Sequence, residues 1–148
     1  MSTEVEALKQ FYAAINRNDM QAISKDFDPD ILRIEPPGFP TAGTYRGIEA
    51  VREHVRAGRE TWAEGSCDPE AFFAKGDKVV VFAYAWVRLK DATDWIGGRF
   101  ADGFVFHDGL IVEYRTFVER DEALGWAGID KPAPNRVARK RSLSKVHR

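Results

Sequence analysis

The chain has 148 residues, 44% of them hydrophobic, which is enough for one domain with a buried core. Its 22 basic and 23 acidic side chains give a formal net charge of −1. Seven of the basic side chains and none of the acidic ones lie in residues 131–148, so residues 1–130 carry a net charge of −8. An acidic body lacks the basic surface that nucleic-acid binding requires, and we expect no nucleic-acid partner.

The sequence indicates neither a metal nor an organic cofactor. Cys67 is the only cysteine, so no intrachain disulfide can form. His54, His107 and His147 lack the spacing of metal ligands, and the sequence has no glycine-rich phosphate loop and no nucleophile elbow. The first residues lack the regions of a signal peptide, and no apolar run approaches the ~20 residues of a membrane span. We therefore expect a cytoplasmic protein without membrane association.

The N-terminal third of the chain predicts two helices and a strand. Thr3 and Glu6 match a capping box, which indicates the start of the first helix. The apolar side chains of this helix recur at helical spacing: Val5, Leu8, Tyr12 and Ile15. A short second helix, capped by Asn18 or Asp19, is expected to carry Met20, Ile23 and Phe27. Residues 31–35 then form a short strand, and residues 36–45 form a loop rich in proline and glycine.

The rest of the chain predicts one more helix followed by antiparallel strands. The helix covers residues 47–63, with an apolar stripe formed by Ile48, Val51, Val55 and Trp62. Strands are expected at residues 71–74, 78–89, 95–106 and 110–119, and Asp108-Gly109 forms a type I′ turn between the last two. This order predicts an α+β fold with helices on one face of a curved sheet. Residues 1–130 form the domain, and residues 131–148 are predicted to be a disordered basic tail.

Asp102 has the most informative surroundings of any side chain. It lies in an aromatic strand in which Phe100, Asp102 and Phe104 share one face. An ionised carboxylate between two phenylalanines is expensive to bury. Either this face is wet, or Asp102 is neutral or well bonded in an apolar pocket, as a catalytic carboxyl would be. The competing interpretation is a structural carboxylate bonded to the backbone or to Arg99.

Four segments resemble the NTF2-like superfamily, most closely its ketosteroid-isomerase and SnoaL-like branch. In chain order they are Phe11–Met20, Asp30–Pro36, Tyr45–Val51 and Ala101–Phe106, the last followed by the Asp108-Gly109 turn and Tyr114-Arg115. Together they cover about residues 4–126. The resemblance implies a cone, in which a curved mixed or antiparallel sheet wraps around three N-terminal helices and encloses a pocket.

The resemblance also implies roles for two carboxyl groups. Glu35 falls where ketosteroid isomerase has its general base, and Asp102 falls at its oxyanion-hole carboxylic acid. The oxyanion-hole tyrosine aligns with Phe11, and Tyr12 is expected to point about 100° around the helix from it. Proton abstraction next to a carbonyl needs a base and a donor to the developing oxyanion. Glu35 and a neutral Asp102 are the candidates, although Glu35 could instead be a solvated side chain at a strand end.

The expected pocket lining comes from the first helix and the long strands. Its members are Phe11, Tyr12, Phe82, Tyr84, Trp86, Phe100, Phe104, Tyr114 and Thr116. Any one of them could instead be plain core. Arg88, near the mouth, could hold an anionic substrate or be solvated, and His54 is expected to be exposed or half-buried rather than catalytic. The opposite face of strand 78–89 is small and apolar, so a homodimer is expected on the outer sheet face near Val81, Ala83, Ala85 and Val105.

Three functional hypotheses follow. The first is a cofactor-independent enzyme that acts by proton transfer on a hydrophobic, carbonyl-bearing small molecule, as an isomerase, cyclase or dehydratase. The second is a non-catalytic module that binds an apolar ligand in the same pocket. The third is an interaction scaffold. The missing tyrosine favours a binding module over a strict isomerase, whereas the two carboxyl groups favour an enzyme over a scaffold.

Overall fold

The computed structural model describes residues 2–131. Within this range the helices are α1 (Thr3–Asn16), α2 (Met20–Ile23), α3 (Ile48–Glu60) and α4 (Arg120–Ala127). The strands are β1 (Phe27–Glu35), β2 (Gly43–Arg46), β3 (Trp62–Lys75), β4 (Lys78–Leu89), β5 (Trp95–His107) and β6 (Leu110–Phe117). No helix in residues 2–131 has the length and apolar character needed to cross a membrane. Apart from Lys131, the predicted tail lies outside the described residues.

The six strands form one curved, open sheet in the order β2-β1-β6-β5-β4-β3. The pairing of β1 with β6 is parallel, and the other four pairings are antiparallel. Helices α1, α2 and α3 contribute to one core on the inner face of the sheet, because their apolar stripes need a surface to cover. The mixed sheet and the packed helices confirm the predicted α+β class.

Helix α4, which was not predicted from the sequence, forms a second core on the outer face of the sheet. Its Ala123, Leu124 and Ala127 pack with Val80 and Ala101. Close approach is possible because β5 carries a glycine here: a Cβ at Gly103 would lie 2.5 Å from the Trp126 ring. The three expected N-terminal helices are present on the inner face, and α4 is an additional helix at the end of the domain.

The two faces of β4 are the reverse of those expected. Val81 pairs with Asp102, Ala83 with Phe100 and Ala85 with Gly98, so the small side chains share the inner face with Asp102. Val81 and Ala83 are fully buried in the inner core. The proposed dimer contact near Val81, Ala83 and Ala85 is therefore wrong, while Val105 lies opposite Lys78 on the outer face. The inner side chains are small because helices and a cavity fill the cone.

Element boundaries differ from the prediction where local signals are weak. Ser2, rather than Thr3, caps α1 by accepting from the Val5 amide. Phe27 begins β1 instead of ending a helix, and it is buried in the inner core. Strand β2 was not expected, because residues 36–45 were predicted to be a loop. The first half of β3 was not expected either, since Gly65 and Pro69 are unfavourable in a strand interior. Both are tolerated because β3 is an edge strand with irregular register near Pro69.

Candidate active site

A cavity of about 880 Å³ lies between the helices and the inner face of the sheet. A volume of this size accommodates an organic small molecule. Its polar and ionisable lining includes Tyr12, Arg33, Glu35, Thr41, His54, Arg59, Asp102, Tyr114 and Thr116. Its apolar lining includes Ile15, Phe39, Val55, Trp62, Ala85 and Phe100. Both carboxyl groups chosen from the sequence therefore face the same cavity.

Asp102 is a buried carboxyl held by two hydroxyl groups. Tyr12 Oη donates to its Oδ2 at 2.5 Å, and Thr116 Oγ1 donates to its Oδ1 at 2.6 Å. Only 2% of the residue is exposed. Burial raises the pKa of Asp102, and this effect outweighs the opposing effects of Arg33 and the two hydrogen bonds. The carboxyl therefore favours its protonated form more than an ordinary aspartate does.

Phe11 occupies the position predicted for the oxyanion-hole tyrosine, but Tyr12 supplies a phenol beside Asp102. The stripe of α1 points Tyr12, rather than Phe11, at the carboxyl of Asp102. Phe11 packs edge-on against Phe104 and Tyr114 in the core and does not line the cavity. Burial and the neighbouring Asp102 raise the pKa of Tyr12 well above its ordinary value, so the phenol keeps its proton and can donate it.

Glu35 ends β1 and is held by three neighbours. Its Oε1 accepts from Thr41 Oγ1 at 2.5 Å and lies 3.0 Å from His54 Nε2, and its Oε2 lies 3.5 Å from Arg33 Nη2. Burial raises the pKa of Glu35, but His54, Thr41 and Arg33 together outweigh burial and lower it below its ordinary value. Glu35 is consequently a carboxylate at neutral pH, and its pKa is shifted in the direction opposite to that of Asp102.

Arg33 places a buried positive charge beside both carboxyl groups. Its side chain is 5% exposed, and its guanidinium lies 3.9 Å from the centroid of the Tyr114 ring. Nη1 donates to the carbonyl of Ile34 at 3.0 Å, while Nε has no partner among the described residues. Burying an unpaired charge is costly, so Glu35 serves as the counter-ion of Arg33. The raised pKa of Asp102 leaves Glu35 as the carboxylate that balances the charge of Arg33.

His54, Thr41 and Arg33 were missed as site residues. His54 Nε2 faces Glu35 Oε1 and the Thr41 carbonyl, which only accept, so Nε2 carries the hydrogen and donates. The His54 side chain is 6% exposed and stacks on Tyr45 with ring centroids 4.1 Å apart. Alternation along β1 could have found Arg33, because it shares a face with Glu35 and with the buried Ile31. No local pattern indicated Thr41, which lies in the loop after β1.

The other predicted lining residues divide by the face on which they lie. Phe100, Tyr114 and Thr116 line the cavity, whereas Phe104 is buried beneath it in the core. The predicted place in the pocket is wrong for four side chains on the outer face of β4: Phe82, Tyr84, Trp86 and Arg88. The three aromatic side chains pack against other aromatic rings on that face instead, and Arg88 pairs with Glu64 at 2.9 Å.

Comparison with known proteins identifies the family. The model of the SnoaL-like domain matches residues 8–114, and no curated protein matches the sequence. One similar solved structure is an NTF2-like protein of unknown function from Burkholderia pseudomallei. It has 22% sequence identity and a TM-score of 0.72, and the alignment covers 86% of this chain and 98% of that one.

Two further structures share the fold. TerC, co-crystallised with polyporic acid, has 22% identity and a TM-score of 0.71, with 85% of this chain and 98% of that one covered. A Catenulispora acidiphila protein with a ketosteroid isomerase-like fold, in complex with trimethylamine, has 15% identity and a TM-score of 0.69, with coverages of 84% and 94%. At such identities these likenesses show the fold alone. The match over residues 8–114 shows that the chain belongs to the SnoaL-like domain family, and its fold is NTF2-like.

Proposed function

We propose that this protein is a cofactor-independent enzyme that transfers a proton on a hydrophobic, carbonyl-bearing small molecule. The observation that carries the proposal is the hydrogen-bonded pair Tyr12–Asp102, which lines the same cavity as the ionised Glu35. Two carboxyl groups whose surroundings move their pKa values in opposite directions are typical of paired acid and base roles.

The proposed step begins when Glu35 accepts the proton from the carbon next to the substrate carbonyl. The electrons of the broken C–H bond form an enolate, and the negative charge develops on the carbonyl oxygen. Tyr12 and a protonated Asp102 stabilise that oxygen together. The protonated carboxyl of Asp102 donates a hydrogen bond to Tyr12 Oη, and the phenol hydrogen of Tyr12 is then free to be donated to the substrate oxygen. Glu35 then returns the proton to the same carbon or to another one. Return elsewhere along a conjugated system completes an isomerisation.

A non-catalytic binding module is the second candidate, and the surroundings of Glu35 favour it. Thr41, His54 and Arg33 stabilise the carboxylate and lower its pKa, which also makes Glu35 a weaker base. The same cavity could then hold an apolar ligand without turnover. TerC, of the same fold, was co-crystallised with polyporic acid, which supports a ligand in the cavity under either hypothesis.

Hydrogen exchange distinguishes the two candidates before the natural substrate is known. A panel of cyclic enones is incubated with the protein in D₂O, and NMR follows the loss of the C–H signals next to each carbonyl. We expect the wild type to accelerate exchange and Glu35→Gln to reduce the acceleration by about 10²–10⁴-fold, the usual contribution of a general base. Ligand affinity, measured by tryptophan fluorescence, should remain nearly unchanged in this variant.

Glu113→Gln is the matched control, because Glu113 lies on β6 outside the cavity and pairs with Arg115. It should exchange the enone protons as fast as the wild type. Equal exchange rates in Glu35→Gln and the wild type would contradict the assignment of the base. Enones that bind without any accelerated exchange would establish the binding module instead.

The proposal extends to a homodimer formed through the outer face of the sheet. Tyr84, Trp86 and Trp95 stack there with successive ring centroids 6.4 and 6.5 Å apart, and Trp95 is 38% exposed. A row of aromatic rings on an exposed sheet face is suited to cover by a second copy of the chain. Sedimentation equilibrium should give a dimer for the wild type and a monomer for Trp95→Glu. Ile96→Glu is the control, since exposed Ile96 belongs to the opposite face, and a monomeric wild type would exclude the dimer.

A further inference from the structure

Helix α3 presents a second polar group to the cavity, away from Glu35. His54, Val55, Gly58 and Arg59 all line the cavity, and their spacing places them on one side of the helix. His54 contacts Glu35, whereas Arg59 lies five residues further along, about 7.5 Å along the helix axis. The cavity therefore has a distal end, at Arg59, that the proposed proton transfer does not use.

Arg59 is fixed in position without a carboxylate partner. Its Nε donates to the Ile15 carbonyl at 2.8 Å, and its Nη2 donates to the Asn16 carbonyl at 3.0 Å. Its guanidinium also lies 4.6 Å from the centroid of the Trp62 ring. These contacts satisfy the C-terminal end of α1 and hold the guanidinium still, but Nη1 donates to no acceptor within residues 2–131.

The other arginines of the cavity lining already have counter-ions. Arg33 pairs with Glu35, and Arg99 pairs with Glu70 at 3.2 Å. Arg59 forms no ion pair with any carboxylate in the described part of the chain. Glu119, an exposed residue that also lines the cavity, is not a partner either. Its positive charge is thus available to a ligand in the cavity.

Gly58, which precedes Arg59 in α3, leaves open space in the lining of the same cavity. A Cβ at this position would meet no atom within 4 Å, and the residue lines the cavity. Glycine destabilises a helix interior relative to alanine, so the helical geometry of α3 alone does not favour it. The free space, the Trp62 ring and the uncommitted Nη1 of Arg59 together match a flat apolar group that ends in an anion.

We propose that Arg59, Gly58 and Trp62 form a distal subsite for a carboxylate on the substrate. This inference rests on the proposed function, in which the substrate carbonyl lies at Tyr12 and Asp102. It narrows the substrate class to apolar carbonyl compounds that carry a carboxylate remote from the reacting carbonyl. Arg59 Nη1 donates to the carboxylate, and the Trp62 ring contacts the apolar body. A pre-positioned guanidinium loses little side-chain entropy on binding, which favours charge-assisted recognition.

The test compares two probes of equal shape, 2-naphthoate and 2-naphthamide, by isothermal titration calorimetry. We expect wild-type protein to bind the anion roughly tenfold more tightly, the scale of one charge-assisted hydrogen bond. Arg59→Met should bring the two affinities together by weakening naphthoate alone. Arg56→Met is the matched control: it removes one positive charge from the same helix outside the cavity, where Arg56 pairs with Glu53, and should keep the preference.

Arg59→Gln provides a second variant, because it keeps an N–H donor for the carbonyls of α1 while removing the charge. It should lose the preference for naphthoate as Arg59→Met does, and its melting temperature reports whether the end of α1 remains capped. The proposal is overturned if either variant retains the preference, if wild type binds both probes equally, or if it binds neither. These outcomes leave the exchange test of Glu35 untouched, so the anion subsite and the proton transfer can fail separately.

Discussion

Tyr12 Oη donates a hydrogen bond to Asp102 Oδ2 at 2.5 Å, although the two residues are 90 positions apart in the sequence. This bond lowers the pKa of Asp102 against the larger opposing effect of burial. Tyr12→Phe should therefore raise the pKa of Asp102 further, which a ¹³C NMR titration of the carboxyl measures. It should also reduce enone exchange by about 10²–10³-fold, the usual cost of one lost oxyanion donor.

Tyr84→Phe is the control for this variant, since Tyr84 lies on the outer face of the sheet. Neither the titration of Asp102 nor the exchange rate should change in it. An unchanged pKa of Asp102 in Tyr12→Phe would show that the two side chains do not interact in solution.

The contact between His54 and Glu35 predicts a shift in the titration of the base. The hydrogen bond from His54 Nε2 lowers the pKa of Glu35, so His54→Phe should raise that pKa while the new ring keeps the stack on Tyr45. Because only ionised Glu35 can accept a proton, the acidic limb of the rate profile should move to higher pH. NMR titration of Glu35 measures the shift directly. His107→Gln, at an exposed position, is the control and should leave the titration of Glu35 unchanged. A Glu35 pKa that is equal in His54→Phe and wild type would exclude the interaction between His54 and Glu35.

The fold class was predictable, because periodicity and turn residues are local properties of the sequence. Asp102 was also marked by its aromatic neighbours, whereas Glu35 was chosen through the family resemblance alone. Tyr12 even belongs to the apolar stripe predicted for α1, with Leu8 and Ile15, and this stripe faces the cone. Its role was missed because a resemblance aligned Phe11 one position away, and one residue turns a helical side chain by about 100°. Spacing along the chain cannot show which of the two neighbours meets a carboxyl 90 residues later.

The faces of β4 could not be assigned from alternation. Both faces carry apolar side chains, and a period of two identifies two faces without showing which one is inside. Which face lies inside depends on the pairing of Val81 with Asp102. This pairing forms only after the chain reverses direction at residues 90–94. His54 and Thr41 were missed for a related reason, since they approach Glu35 through the packing of a helix and a loop on the end of β1.

The raised pKa of Asp102 predicts a pH-dependent cost to stability. The folded protein binds this proton more strongly than the unfolded chain, so wild-type stability should fall as pH rises above the ordinary Asp value of 3.8. Asp102→Asn cannot ionise and can still accept from Thr116 and donate to Tyr12. Urea unfolding should therefore show Asp102→Asn gaining stability relative to wild type between pH 4 and neutral pH. A difference that is constant over this range would mean that Asp102 titrates normally.

Gly58 provides a test in which stability and binding should change in opposite directions. A leucine favours the helix over glycine, so Gly58→Leu should increase the free energy of unfolding by about 1 kcal/mol, as measured by urea denaturation. Its side chain should also fill the open space beside Gly58 and weaken the binding of 2-naphthamide, which carries no charge for Arg59 to attract. Gly58→Ala separates the two effects, because it provides the helix preference with only one added carbon. Equal affinities of Gly58→Leu and Gly58→Ala for 2-naphthamide would show that ligands leave this part of the cavity empty.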